Sequence, residues 1–194
     1  QKTRQNKIEP MSKVFGPVYH FILAYLGVLI YGFPSRKLIV IGVTGTNGKT
    51  TVVHLIHHIL NNSVIKTGMV SSLRFCIGNK CEKNILKMTM PGRFRLQGFL
   101  RKCLNNGMTH AVIEVTSQGV LQYRHRGIKF DYAVLTNITP EHIEAHGGFE
   151  RYRASKLKFF EYAAKHGKKT AIMNADDPSA KMFFNFPFSK KIKY

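Results

Sequence analysis

The chain has 194 residues, of which 44% are hydrophobic, 16 are glycine and 7 are proline, an ordinary composition for a globular domain with one substantial core. Thirty lysines and arginines against ten acidic residues give a net charge of +20, which favours anionic partners such as nucleic acid, anionic lipid or nucleotides. The basic residues are scattered from Lys2 to Lys193, without an arginine-rich run or an aromatic RNA-binding signature, and this argues against a dedicated nucleic-acid module.

The first part of the chain is polar and basic over residues 1–13 and largely apolar over residues 18–33. The apolar run is too short for a transmembrane span, and no small-residue cleavage site of a signal peptide follows it. We expect a helix that packs on the domain, or alternatively a helix that lies at a membrane interface next to the basic flank. Residues 1–37 are therefore set apart from a domain over 38–194.

A strand, a glycine-bearing loop and a helix follow one another between residues 38 and 62. Leu38 to Val43 is a β-branched apolar run that predicts a strand buried on both faces, and apolar residues recur at helical spacing from Thr51 to Asn62. Gly45 and Gly48 allow backbone N–H groups to surround phosphate oxygens at the start of that helix. The stretch predicts a phosphate-binding loop.

Two side chains of this loop suit nucleotide chemistry. Lys49 would reach the terminal phosphates, and the Thr50 hydroxyl would bind Mg²⁺. The common pattern G-x-x-x-x-G-K-[ST] is not strictly met, because Val43 stands where its first glycine would fall. A glycine turn with a purely structural role is the alternative.

The rest of the chain alternates between strand and helix patterns. Such alternation predicts an α/β fold with a doubly wound, mostly parallel sheet, in which ligands gather at the carboxyl ends of the strands. The last residues, 190–194, show no evident terminal element, so we expect a piece of a longer protein. The predicted elements are extended segments over 66–72 and 73–77, a turn at 78–79 into 80–88, helices over 94–105 and 149–166, and strands over 109–115, 131–135 and 169–173.

The cysteines and a histidine group could suggest metal sites. Cys76, Cys81 and Cys103 are odd in number and fit no zinc or redox spacing, so we expect thiols in a reducing cytosol. His54, His57 and His58 share one helix without an acidic ligand, so we interpret them as surface or core histidines.

Four blocks occur in the order found in the Mur ligase family. The set resembles the central ATP-binding domain of UDP-N-acetylmuramoyl-dipeptide ligases, which add the third residue of the peptidoglycan stem peptide. The blocks are Gly45 to Thr51, Thr89-Met90-Pro91, Glu114 to Gln118 with Gln122 and Arg124, and Thr136 to His142 leading to Tyr152 to Lys156.

This resemblance implies an ATP-dependent ligase. A substrate carboxylate attacks the γ-phosphate of ATP, and the resulting acyl phosphate is opened by an amino acid. Lys49, His142 and Lys156 would be catalytic. The implied ATP contacts are Gly45, Thr46, Asn47, Gly48, Lys49, Thr50, Thr51, Asn174 and Asp177; the implied Mg²⁺ ligands are Thr50, Glu114, His142 and Lys156; the implied contacts to the nucleotide-sugar peptide are Thr89, Thr116, Gln122 and Arg124.

Lys156 matches the lysine that reacts with CO₂ in this family. A carbamate is an anion and can bind a metal, whereas an ammonium would repel it, and bringing a normal lysine to its neutral form near pH 7 costs roughly 4 kcal/mol. Without the resemblance, Lys156 would be interpreted as a solvated helix lysine.

The chain departs from the family pattern in several places. Met90, Gly92 and Gln118 replace Thr, Asp and His, which puts the nucleotide-sugar contacts in question, and Glu141 and Glu144 replace aspartates. About 37 residues precede the predicted ATP strand. We expect this to be too few for the family's UDP-binding domain, and we expect the amino-acid-binding domain to be absent from this chain.

Two other functions compete with a cell-wall ligase. A folylpolyglutamate synthase shares the loop and the reactive lysine, but the Gln122-x-Arg124 pair favours the wall enzyme. A non-catalytic nucleotide-binding descendant is the other alternative. The intact Lys49, Glu114, His142 and Lys156 argue against it. We expect a cytoplasmic monomer.

Overall fold

The computed structural model describes residues 22–86, 88–140, 148–167 and 169–194. Its strands form one sheet in the order β4-β3-β2-β5-β1-β6-β7-β8. The strands are β1 (Ile39–Thr44), β2 (Thr67–Val70), β3 (Arg74–Ile77), β4 (Lys80–Lys83), β5 (His110–Glu114), β6 (Tyr132–Leu135), β7 (Thr170–Met173) and β8 (Lys190–Lys193). The helices are α1 (22–30), α2 (Lys49–Asn62), α3 (Arg93–Asn105), α4 (Ser117–Leu121), α5 (Phe149–His166) and α6 (Ala180–Phe184).

The centre of the sheet is parallel, and only the hairpin of β3 and β4 runs antiparallel to its neighbours. β1 lies between β5 and β6, with Val43 opposite Glu114 and Thr44 opposite Leu135. Three strands therefore end side by side at one edge. The predicted doubly wound, mostly parallel sheet is confirmed.

Two hydrophobic clusters cover the two faces of the sheet. On one face α2 packs its apolar side against a cluster that includes Val43, Val53 and Met69. On the other face α3 and α5 pack against a larger cluster, where Phe130 and Phe159 make an edge-to-face contact with centroids 5.0 Å apart. Helices on both faces leave the carboxyl edge of the sheet as the accessible crevice.

Helix α1 packs on the domain through one narrow side. Ala24 and Val28 are buried, and the Arg101 guanidinium donates to the carbonyl of Tyr31 just after the helix. This agrees with the first of the two interpretations of the apolar run. Within the described part of the chain, no helix is both long and apolar enough to cross a bilayer.

The structure corrects two expectations. Residues 190–193 form β8, a basic edge strand that pairs in parallel with β7; its exposed lysines gave no apolar signal. Cys76 and Cys81 form a disulfide rather than two thiols, because they face each other directly in the β3–β4 hairpin. Cys103 is free and buried, and burial raises its pKa to about 12.

Candidate active site

The loop after β1 needs glycine at two positions. Gly45 and Gly48 have φ angles of 148° and 76°, which side-chain-bearing residues rarely adopt. A Cβ at Gly45 would overlap the Thr136 hydroxyl, whereas the space around Gly48, the N-cap of α2, is open. The N-cap of α2 thus adjoins open space, and helix N-termini bind phosphate in such a setting.

The segment that follows β6 fixes the shape of this loop. The Thr46 amide donates to the Asn137 carbonyl at 2.8 Å, and the Asn47 amide donates to Asn137 Oδ1 at 2.9 Å. The Thr136 hydroxyl donates to the Asn47 carbonyl at 2.7 Å. The sequence analysis gave Thr136 and Asn137 no role of their own. Their place at the end of the strand next to β1 was the one feature that could have indicated that they support the loop.

Lys49 lies at the first position of α2 and turns back over the loop. Its Nζ donates to the Thr46 carbonyl at 2.6 Å. Its charge is also close enough to Lys156 to lower the pKa of that amine. Two lysine nitrogens therefore approach the loop, an arrangement that an anion such as a phosphate would stabilise.

Thr50 and Glu114 are in direct contact. The Thr50 hydroxyl lies 3.0 Å from each carboxylate oxygen of Glu114 and 2.8 Å from the Ser72 hydroxyl. The Ser72 amide donates to Glu114 Oε2 at 2.9 Å. Sequence reasoning missed Ser72, whose position just after β2, beside β5, was the only signal.

These oxygens fit a magnesium ion better than a transition metal. Mg²⁺ is commonly held by one or two carboxylates together with phosphates and water, and the hydroxyl and carboxylate here are oxygen donors next to a phosphate-type loop. Among the described residues there is no group of three or more His, Cys, Asp or Glu side chains that could hold a metal. A site built from Thr50 and Glu114 would need the nucleotide to complete it.

Lys156 is buried against the same loop from the other side. Only 1% of the residue is exposed, its Nζ donates to the Gly45 carbonyl at 2.6 Å, and the nitrogen lies 4.4 Å from the centroid of the Tyr152 ring. Burial, followed by the charge of Lys49, lowers its pKa to about 7. The interpretation as a solvated helix lysine is therefore wrong, and the lowered pKa favours the neutral amine near pH 7 more than in an exposed lysine.

Tyr152 ties α5 to the loop. Its hydroxyl lies 3.1 Å from the Thr46 hydroxyl, which also accepts from the Thr139 amide at 3.0 Å. This contact fixes the position of the helix that carries Lys156 relative to the loop. His142, Glu141 and Glu144 lie outside the described residues.

Asn174 and Asp177 lie in the turn after β7. Asp177 is buried, and its carboxylate accepts from the Ile138 amide and, at 2.7 Å, from the Ser179 amide. Asn174 Oδ1 accepts from the Asp176 amide at 3.0 Å. Asp177 thus anchors the segment that supports the loop, and an adenine contact by either residue stays a prediction.

Two of the residues predicted to contact the substrate, Gln122 and Arg124, are in direct contact with each other. The Arg124 guanidinium donates to the Met90 carbonyl and to Gln122 Oε1, and burial lowers its pKa. Thr89 is half-buried next to Met90. Arg124 therefore connects two sequence blocks that lie more than thirty residues apart.

Met90 explains one departure from the family pattern. Its side chain is fully buried and packs against Gly119, where an added Cβ would overlap the Met90 sulfur. The Thr116 hydroxyl accepts from the Gly119 amide at 3.0 Å and caps α4. Residue 90 therefore lies in the hydrophobic core. The Thr116 hydroxyl already accepts a hydrogen bond from the helix that it caps.

The three histidines of α2 bind neighbouring side chains. His54 Nε2 lies 2.9 Å from the Ser71 hydroxyl, and His57 and His58 contact the amides of Asn61 and Asn62 one turn later. The interpretation as surface or core histidines agrees with these contacts.

A comparison with known protein families gives one decisive match. Residues 43–194 match the family described as "Mur ligase middle domain". The chain belongs to the Mur ligase family. The resemblance predicted from the sequence blocks is thus confirmed.

Relatives of this Mur ligase domain carry names of the expected branch. It is 36% identical over 173 residues to the UDP-N-acetylmuramoyl-L-alanyl-D-glutamate--2,6-diaminopimelate ligase of Halalkalibacterium halodurans, covering 89% of this chain and 35% of that protein. It is 36% identical over 186 residues to the UDP-N-acetylmuramyl-tripeptide synthetase of a Roseiflexus species, covering 91% of this chain and 36% of that protein. The chain spans about a third of the length of these relatives.

Solved structures agree with the fold of a Mur ligase middle domain. A structure of UDP-N-acetylmuramoyl-L-alanyl-D-glutamate--2,6-diaminopimelate ligase superposes with a TM-score of 0.72 at 28% identity, covering 81% of this chain and 32% of that one. Mycobacterium tuberculosis folylpolyglutamate synthase, complexed with ADP and AMPPCP, gives a TM-score of 0.66 at 15% identity over 88% of this chain and 46% of that one. The latter likeness concerns the fold alone.

Proposed function

We propose that the protein containing this chain is an ATP-dependent ligase that adds an amino acid to a UDP-N-acetylmuramoyl-peptide in peptidoglycan synthesis. The observation that carries this proposal is the buried Lys156, whose amine lies against the Gly45 carbonyl of the phosphate loop with a pKa near 7. A simple ATP-binding module would not need a second, deprotonatable lysine at that point.

Nucleotide binding is assigned to the loop between β1 and α2. Its backbone N–H groups and the Lys49 ammonium would bind the β- and γ-phosphates. Thr50 and Glu114 would hold Mg²⁺, which neutralises the charge that develops on the transferred phosphoryl group. Asn137 and Asp177 would act indirectly, because they fix the backbone around the loop.

Lys156 would be converted to a carbamate. Its neutral amine attacks the carbon of CO₂, a nitrogen–carbon bond forms, and one proton is released to solvent. The product is an anion with two oxygens, suited to a magnesium ion beside the nucleotide. Because burial has already lowered the pKa of this amine, much of the cost of deprotonation is met by the fold itself.

Arg124 and Gln122 would orient the nucleotide-sugar peptide. The guanidinium is a natural partner for a carboxylate or phosphate, and Thr89 and Thr116 would contact the same substrate. The substrate carboxylate then attacks the γ-phosphate of ATP and ADP leaves. The amino group of the incoming amino acid attacks the acyl phosphate, phosphate leaves, and an amide forms.

The test is ligation by the full polypeptide, assayed as phosphate release with ATP, UDP-N-acetylmuramoyl-dipeptide and a panel of amino acids. We expect turnover that rises with added bicarbonate and is nearly lost in Lys156→Ala. Lys158→Ala, an exposed lysine two residues further along α5, is the matched control and should keep its rate. Formate should restore part of the turnover of Lys156→Ala by supplying an anion.

The alternatives give different results in the same assay. Turnover with a folate and glutamate but not with the nucleotide-sugar peptide would indicate a folylpolyglutamate synthase. ATP binding without turnover on either substrate would indicate a non-catalytic descendant. A wild-type rate in Lys156→Ala would show that the carbamate mechanism is wrong.

We also propose three features of the protein as a whole. Residues 38–194 act as the ATP-binding unit, with residues 1–37 appended to it. The enzyme works in the cytoplasm, where ATP is available. It is a monomer, which can be tested by light scattering. A peripheral membrane contact through the apolar run at 18–33 is a further proposal, because α1 exposes apolar side chains such as Leu29 and Ile30.

A further inference from the structure

A groove of about 1290 Å³ lies between the β3–β4 hairpin and α3. Phe75 and Ile77 line it from the sheet, and Phe99 and Met108 line it from the side of α3. The two phenylalanine rings make a tilted contact with centroids 6.1 Å apart. All four side chains are only partly buried by the core, so the floor of the groove is apolar surface that the described residues leave accessible.

Cations surround this apolar floor. No ion pair within the described residues joins any of these cations to a carboxylate, and Glu82 is the one acidic side chain among the residues that line the groove. The rim therefore presents an excess of positive charge to an occupant. The cations are Lys66, Lys80, Lys83, Arg95 and Lys102, all of them exposed.

Protection of the sheet edge accounts for only part of this pattern. Edge strands commonly carry lysines that prevent pairing with other chains, and this would explain Lys80 and Lys83 on β4. Arg95 and Lys102 lie on α3, two turns apart on the face that also carries Phe99. Those two residues protect no edge, yet they add positive charge to the opposite wall.

The size and shape of the groove select among possible occupants. Small-molecule sites usually have volumes of roughly 300–1,000 Å³, so this groove exceeds the range expected for a small ligand. It is concave, whereas a bilayer surface would contact a flat or convex face. Its floor is apolar, which distinguishes it from the polar, basic surfaces that bind nucleic acid.

We propose that this groove binds an acidic amphipathic helix of a partner polypeptide. Apolar side chains on one face of the helix would pack on Phe75, Ile77 and Phe99, and flanking carboxylates would pair with the five cations of the rim. The site is separate from the nucleotide loop, since no residue of 45–50 lines it. Binding here therefore does not depend on the ligase activity proposed above.

The first test is fluorescence anisotropy with the full polypeptide and two labelled peptides of identical Leu and Glu composition. One peptide places Leu at i, i+3, i+4 and i+7, and the other has the same residues scrambled so that no apolar face exists. We expect the amphipathic peptide to bind at least tenfold more tightly. Equal affinities would overturn the proposal, because they would reflect only the net charge of +20.

Matched variants locate the binding. Lys80→Glu with Lys102→Glu should weaken binding of the amphipathic peptide at least tenfold, whereas Lys190→Glu with Lys191→Glu, the same charge change on the opposite edge strand, should not. Ile85→Ser at the groove, where the residue is 81% exposed, should also weaken binding, and Ile192→Ser, 37% exposed on β8, should not. Equal effects of the two members of either pair would overturn the proposal.

Two further probes separate other macromolecules from a peptide. Vesicles of phosphatidylglycerol and a single-stranded oligonucleotide should bind the two charge-reversal variants equally, because both variants carry the same net charge. If one of these probes distinguishes the variants while the amphipathic peptide does not, the groove is a lipid or nucleic-acid site and the proposal is wrong.

Discussion

The Nζ atom of Lys156 donates a hydrogen bond to the carbonyl of Gly45, 111 residues earlier in the chain, at 2.6 Å. The contact connects the middle of α5 to the first glycine of the loop between β1 and α2. It requires a lysine at a position where 1% of the residue is exposed. Such a residue destabilises the fold when it is charged, which suggests that it is kept for its chemistry.

We predict that Lys156 makes the stability of the domain depend on pH. Its pKa falls from 10.5 to about 7 on folding, so between these values the unfolded chain binds more protons than the folded one and stability rises with pH. Lys156→Met, which keeps the volume without the charge, should be more stable than wild type by a few kcal/mol at pH 7. The difference should shrink towards pH 10.

The measurement is urea denaturation of both proteins at pH 7, 8, 9 and 10 in buffers free of CO₂, so that no carbamate forms. Lys158→Met provides the control, because an exposed lysine on the same helix should give no such trend. A constant difference between wild type and Lys156→Met across this pH range would contradict the low pKa.

The contact between Thr50 and Glu114 predicts that loss of the Thr50 hydroxyl weakens ATP binding only when Mg²⁺ is present. Thr50→Val removes the hydroxyl that lies 3.0 Å from both carboxylate oxygens. We expect at least a tenfold weaker Kd for ATP with Mg²⁺, about 1.4 kcal/mol, and little change with EDTA present. Calorimetry under both conditions measures this.

Thr50→Ser is the control, since it restores the hydroxyl and should recover most of the affinity. Lys49→Ala should behave differently, because its ammonium would contact phosphate directly and its loss should abolish binding with or without the metal. Equal losses for Thr50→Val in the two conditions would indicate that the hydroxyl holds the loop rather than the ion.

Asp177 gives a prediction that separates support of the loop from contact with adenine. Asp177→Ala leaves the Ile138 and Ser179 amides without their acceptor, which we expect to destabilise the domain by about 1–3 kcal/mol. If Asp177 acts by anchoring the loop, the affinities for ATP and for inorganic tripolyphosphate should fall together. If it contacts adenine, only the affinity for ATP should fall.

Calorimetry with the two ligands distinguishes these outcomes. Asp176→Ala serves as the control, because Asp176 is exposed in the same turn and should change neither affinity. Unchanged binding of tripolyphosphate by Asp177→Ala would exclude the anchoring role.

Elements with strong periodicity could be predicted from the sequence, and elements that depend on pairing could not. The helix over 149–166 was predicted with its observed bounds, since apolar residues recur along all of it. β8 carries exposed lysines and forms through parallel pairing with the edge of β7, which its own residues do not indicate. The Cys76–Cys81 bond likewise depends on the register of a hairpin, which spacing alone does not reveal.

The candidate site shows the same division. The glycines at 45 and 48 could be predicted from their place between a strand and a helix, because the loop needs positive φ angles there. The binding of phosphate by this loop stays a prediction. The burial of Lys156 could not be derived locally, since Lys158 beside it is exposed and both belong to one helix. The role of Ser72 depends on β2 lying next to β5, which only the strand order shows.

The last prediction concerns the exposed face of α1. Five apolar residues of this helix are 38% to 69% exposed, and their spacing of i, i+3, i+4, i+7 and i+8 places them on one face. An apolar helical face beside a basic segment is typical of interfacial helices. The residues are Ile22, Tyr25, Leu26, Leu29 and Ile30.

We predict that the full polypeptide floats with vesicles that contain phosphatidylglycerol, and less with vesicles of phosphatidylcholine alone, because anionic lipid attracts the basic flank. Leu29→Glu with Ile30→Glu should reduce flotation severalfold. Leu55→Glu with Ile59→Glu is the matched control, since these residues are 54% and 64% exposed on α2 and carry the same change. Equal flotation of the two variants would show that charge alone, rather than the face of α1, brings the protein to the membrane.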